Sequence, residues 1–83
     1  MEMGKSRRQL RVKTRLDLRA IGRRIRELRG FDMTQTEFAQ RIGVTQGYLS
    51  ALERGEKEPG SAVLVAIQKE SRRSIDWLLT GHE

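Results

Sequence analysis

The sequence holds no cysteine, one histidine and one proline among its 83 residues. Without cysteine, neither a disulfide nor a thiolate-held zinc can brace so short a chain, and a reducing cytoplasm suits it. The histidine, His82, sits beside the C-terminus and reads as tail. A metal centre or an imidazole-based catalyst would need more, and the acidic residues are scattered rather than paired, so metal-assisted hydrolysis has no ligand set either. No cofactor and no enzymatic activity are expected. No apolar run approaches the ~20 residues of a membrane span, and the N-terminus lacks the apolar block of a signal peptide. One small domain is what this length permits. Such a chain buries only somewhat more than ~60% of its unfolded surface, so its helices must pack efficiently or dimerisation must help.

What is abundant is arginine, and its placement matters more than the net charge of +6. Residues 1–29 carry eleven basic side chains against three acidic ones, whereas residues 30–83 carry six against eight. A chain with its positive charge gathered at one end favours a polyanion, and nucleic acid ranks ahead of a membrane because no strongly apolar face accompanies the charges. Residues 1–16 read as a basic arm, with residues 17–83 as the folded domain. The arm is expected to lie along a phosphate backbone or in a minor groove. A solubilising tail and, from the alternation of Leu10, Val12, Leu16 and Leu18, a strand against a partner chain remain open alternatives.

The most informative stretch runs from Met33 to Gly55. Thr34 and Glu37 have the T-x-x-E spacing of a capping box. Phe38, Ala39 and Ile42 then share one side of a helix of about two turns, and Gly43 stops it. Val44 gives the turn an apolar anchor and Thr45 is a good cap for the next helix, which buries Leu49 and Leu52. Two short helices joined by a glycine-bearing turn read as helix-turn-helix. With Leu49 and Leu52 inward, Gln46, Gly47, Ser50 and Ala51 are expected to face outward. Glutamine and serine can read base edges, alanine offers a methyl to thymine, and small residues permit close approach. An ordinary solvated face is the competing reading.

The remaining elements follow from caps and periodicity. Asp17 is a cap for a first helix whose apolar stripe is Leu18, Ile21, Ile25 and Leu28. Glu56 to Gly60 is a loop by composition. A fourth helix runs from about Gly60 or Ser61 to Glu70, and Ser74 caps a last one, Ile75 to Thr80. Trp77 is expected to plug the core. Ile75, Leu78 and Leu79 exceed what so short a helix buries at home, and are the candidate homodimer contact.

The segment TQTEFAQRIGVTQGYLSALERGEKEPG, followed later by SIDWLLTG, resembles the lambda-repressor and Cro-type helix-turn-helix family, often called the Xre family. The likeness spans about Leu18 to Gly81, and the IDWLLTG ending looks like phage repressors. It implies an all-α, five-helix domain with the helix-turn-helix at the second and third helices. It further implies that Arg29 pairs with Glu53 and that the loop with Lys57 lies near the DNA backbone. Ser61, Gln68, Ser71 and Arg73 stand where relatives usually carry leucine, alanine, leucine and valine, so the corner between the last two helices must satisfy polar groups that relatives lack.

The expected function is a sequence-specific duplex-DNA-binding regulator. Its third helix would lie in the major groove and its dimer would address two half-sites ~34 Å apart. Thr34 and Gln35 would offer backbone N–H groups to a phosphate. Thr45, Tyr48 and Lys57 would flank them, the Tyr48 ring serving equally well as a cover for the turn. The alternative is an antitoxin-type module that binds a protein partner and also represses its own promoter.

Overall fold

The computed structural model describes residues 15–83, and within them the chain forms five α-helices: α1 (Leu18–Arg29), α2 (Gln35–Ile42), α3 (Gln46–Glu53), α4 (Ser61–Ser71) and α5 (Ile75–Thr80). The basic arm expected over residues 1–16 lies outside the described residues except for Arg15 and Leu16.

Four of the five helices start where the sequence places a side-chain acceptor; α4 follows Gly60 and has no side-chain cap. Asp17 accepts from the Ala20 N–H at 3.1 Å, and Ser74 from that of Trp77 at 3.0 Å. At α2 the capping box is complete: Thr34 Oγ1 accepts from Glu37 N (3.1 Å) while Glu37 Oε1 accepts from Thr34 N (2.8 Å). The exit from α2 depends on Gly43, whose φ of 79° is left-handed; this lets Val44 N return to Ala39 O at 2.9 Å. Any other residue would carry a steric penalty there.

The core takes something from every helix: Ile21 and Ile25, then Phe38, Ala39 and Ile42, Leu49 and Leu52, Ile67, and Leu78. The isoleucine, leucine and phenylalanine side chains each contribute ~1.5–3 kcal/mol when fully buried. Helix α1 packs on α3 and α5, α2 packs on α3 and α4, and α4 meets α5. The α1–α3 contact is so close that a Cβ on Gly22 would fall 2.5 Å from the carbonyl oxygens of both Leu52 and Glu53. Arg24 ties α1 to the end of α5, its Nη1 donating to Leu78 O at 3.0 Å.

One expectation at the C-terminal end needs correction. Leu78 is 2% exposed and sits in its own chain's core, so it is no free surplus for a partner, whereas Leu79 touches that core and stays partly exposed. The reason is the α1–α5 contact, which turns this side of α5 inward. Ile75 is half-buried and does not pack on the core cluster, so Ile75 and Leu79 keep the expected role open. Trp77 packs against the core, and the Arg73 guanidinium stacks 3.7 Å from its ring centroid. The unusual polar residues nearby are satisfied. Ser71 Oγ donates to Ile67 O (2.7 Å) and accepts from Arg73 N (3.2 Å), while Ser61 and Gln68 remain in solvent.

Candidate nucleic-acid interface

The turn Gly43–Val44–Thr45 sets α3 against α2 with its first two residues, Gln46 and Gly47, exposed. Thr45 caps α3 by accepting from Tyr48 N at 3.1 Å, which leaves the hydroxyl proton free to donate outward. The N–H groups of Gln46 and Gly47 have no partner among the described residues. Gln46 and Gly47 are exposed and Ser50 is half-exposed, as expected of an outward stripe. Ala51 is not: it is 7% exposed. At 100° per residue it stands well around the helix from Gln46 and Ser50, and the chain after α3 folds back on that flank, Glu56 N donating to Ala51 O at 2.9 Å. Its methyl is therefore withdrawn from any groove.

Gln46 is held by a chain of hydrogen bonds that starts in the half-buried interior. Arg29 donates from Nε and Nη2 to the two oxygens of Glu53 (2.8 and 2.9 Å) and from Nη1 to Met33 O (3.0 Å). The pair is only 13% and 5% exposed at its side chains, so it is no solvated surface bridge. Hydrogen bonding to Glu53, helped by its charge, raises the Arg29 pKa against the desolvation that lowers it. Stability from this shift is present below the ordinary arginine pKa and lost only above it, so Arg29 does not titrate near neutrality. Gln35 Nε2 donates to Glu53 Oε1 at 2.9 Å. A carboxylate can only accept, so the Gln35 amide is forced to turn its oxygen outward, where it receives Gln46 Nε2 at 2.6 Å. Gln46 therefore keeps its carbonyl oxygen and one N–H for a ligand. That is an acceptor beside a donor, the complement of the adenine N6/N7 edge.

The start of α2 differs from expectation in one respect. The Thr34 N–H is already accepted by Glu37, so it is not available to a phosphate. The N–H groups of Gln35 and Thr36 have no partner among the described residues and stay open at the N-terminus of α2. Tyr48 is half-buried with its ring against the core, and Lys57 is fully in solvent on the loop after α3. The sequence reading missed the Gln35 side chain and Arg54. The latter lies four residues beyond Ser50, on the stripe that Gln46 opens, a spacing that could have flagged it. Among the described residues no three acidic or histidine side chains gather as a metal site would require, and no helix is long and apolar enough to cross a membrane.

Gly47 gives a direct test of close approach. A Cβ there meets nothing within 4 Å, so Gly47→Ala should stabilise the domain by about 0.5–1 kcal/mol through helix propensity. The added methyl should at the same time weaken binding to a preferred duplex. Thermal melting beside a duplex titration checks both, and tighter or unchanged binding would remove Gly47 from the contact face.

A helix-turn-helix family model matches residues 23–78. Among solved structures, the clp gene regulator ClgR from Corynebacterium glutamicum superposes with a TM-score of 0.67 at 34% identity, covering 77% of this chain and 69% of that one. The P22 c2 repressor, solved in complex with the synthetic operator 9T in the presence of Tl+, gives a TM-score of 0.70 at 34% identity, covering 83% of this chain and all of that one. Comparison with curated proteins gives no match.

Proposed function

This chain belongs to the Cro/C1-type helix-turn-helix family of DNA-binding transcription regulators, and from that premise we propose that it is a repressor reading one duplex sequence through α3. The observation that carries this reading is the Gln46 amide, exposed yet held at 2.6 Å by Gln35, which Glu53 and Arg29 hold in turn. A tethered amide loses little rotamer entropy on meeting a base, and its remaining acceptor and donor suit adenine. Ser50 lies one turn further on, and Gly47 leaves room for the groove wall. The Gln35 and Thr36 N–H groups, at the positive end of α2, suit a phosphate oxygen. The hydroxyls of Thr34 and Thr45 and the ammonium of Lys57 suit the flanking backbone. The basic segment over residues 1–16 adds sequence-independent attraction.

The proposed working form is a cytoplasmic homodimer on a near-palindrome, blocking polymerase by occupancy and needing no cofactor. With Leu78 committed to the monomer core, the apolar side chains that support a two-fold contact are Ile75 and Leu79, both half-buried, and Val65 of α4, 42% exposed.

Selection of bound sites from random duplexes tests the reading, because paired half-sites ~34 Å apart would report both sequence preference and dimer symmetry. On the selected site, Gln46→Ala should cost roughly 1–3 kcal/mol and change binding to random DNA little. An equal loss on both would make Gln46 a backbone contact, and recovery of no preferred sequence would reject specific reading.

A further inference from the structure

Beyond Ser50 the outward stripe of α3 ends in a side chain with an occupied hand. Arg54 Nε and Nη2 donate to the two oxygens of Glu56 at 2.8 and 2.9 Å, and Arg54 Nη1 donates to Ser50 Oγ. Both partners of the ion pair are open to water, at 57% and 56% exposure. The pairing raises the pKa of Arg54 and lowers that of Glu56, chiefly through the side-chain hydrogen bonds, as expected of a fork meeting both carboxylate oxygens. The position of Glu56 is set by the backbone. Gly55 turns the chain with φ 77°, and Glu56 N is anchored to Ala51 O at 2.9 Å, which brings the carboxylate back beside the end of α3.

A carboxylate that takes two parallel guanidinium N–H bonds presents the same geometry as a phosphate. Resting on the duplex-binding reading above, we infer that Arg54 is a DNA-backbone contact whose phosphate site is filled in the free protein by Glu56, an internal competitor that must be displaced on binding. Three observations converge on it. Gln46, Ser50 and Arg54 succeed one another at four-residue intervals, so whatever faces the first two passes the third. The C-terminal end of a helix whose N-terminal end enters a groove lies nearer the groove wall, where phosphates stand. An exposed ion pair is weak enough to exchange partners. The contact to Ser50 adds a consequence. While Arg54 rests on Glu56 it also occupies the Ser50 hydroxyl oxygen, so its move to a phosphate frees that oxygen at the moment a base edge arrives. Glu56 thereby lowers affinity for every duplex and couples backbone engagement to base reading.

The test titrates one selected duplex and one random duplex with wild type, Glu56→Gln, Glu58→Gln, Arg54→Ala and Arg54→Ala/Glu56→Gln at fixed salt. Glu58 is the control: an exposed carboxylate two residues on, in no ion pair among the described residues. Glu56→Gln should tighten binding to both duplexes by about two- to fivefold, the range open to one exposed pair, and by more than Glu58→Gln does. Arg54→Ala should weaken both alike. In the Arg54→Ala background the gain from Glu56→Gln should shrink to that of Glu58→Gln. A gain that persists there, or that never exceeds the control, overturns the competitor role while leaving duplex binding intact. A wild-type chain that shifts neither duplex overturns the DNA-reading proposal itself, and this inference with it.

Discussion

Gly22→Ala should destabilise the domain markedly, against the usual preference of a helix for alanine. In an open helix the change would stabilise by about 1 kcal/mol. Here the new Cβ lies 2.5 Å from Leu52 O, 2.5 Å from Glu53 O and 2.8 Å from the Glu53 carbonyl carbon, far inside the ~3.5–4.0 Å optimum for such contacts. None of these atoms can swing aside, because all belong to the α3 backbone. Helix α1 would have to withdraw, and Ile21 and Ile25 would withdraw with it from the core they share with Leu49 and Leu52. Overpacking of this kind costs ~1–3 kcal/mol and occasionally more, against a total stability of about 3–10 kcal/mol for a chain of this size. Thermal melting by circular dichroism should show a fall of roughly 10–20 °C, at ~4–8 °C per kcal/mol. A melt at or above that of the wild type would mean that the two helices can separate without penalty, and that the tight contact is not what fixes α3.

That glycine also marks the boundary of what the sequence makes legible. Helix ends are local chemistry, so Asp17, the Thr34–Glu37 box, Gly43, Thr45 and Ser74 announced four starts and a turn from a few adjacent residues each. Gly22 gave no such notice: its reason lies thirty residues away, in the carbonyls of Leu52 and Glu53. Ala51 was misplaced for a related cause. Its angle on the helix puts it at the margin of the open face, and only the return of Glu56 to its carbonyl decides that the margin is covered. Leu78 shows a further limit, since an apolar stripe on a six-residue helix has the same pattern whether its cover is α1 or a second subunit. On the candidate interface, Gln46 and Ser50 were legible as an outward stripe. The Gln35 amide was not, because its job depends on Glu53 arriving beside it from eighteen residues further along. The Arg29–Glu53 pair was expected through family resemblance alone; no spacing within this chain would have chosen it.

Glu53 is where the second large effect is expected, and there stability and reading should fail together. Its carboxylate accepts three side-chain hydrogen bonds, two from Arg29 and one from Gln35, at 5% exposure. Glu53→Ala leaves the Arg29 guanidinium, itself 13% exposed, with Met33 O as its remaining partner. Removing one member of a buried pair costs ~3–5 kcal/mol; the residual solvent access of Arg29 places the expectation at roughly 3 kcal/mol. Glu53→Gln preserves the shape but brings an N–H₂ group toward donors, so it should recover only part of the loss. Because Arg29 stays charged at every pH below the ordinary arginine range, the Arg29 side of this deficit should hold constant from neutral to mildly alkaline pH. The effect on binding follows from the amide chain. Without the carboxylate, nothing obliges the Gln35 oxygen to face outward, and Gln46 loses the restraint that orders its acceptor and donor. Measured well below the melting temperature, Glu53→Ala should therefore weaken binding to a selected site more than to random duplex. In a Gln46→Ala background it should remove little further specificity, because the two changes disable one device. Additive losses of specificity in that cycle would show that Glu53 supports the fold alone and that Gln46 finds its orientation without it.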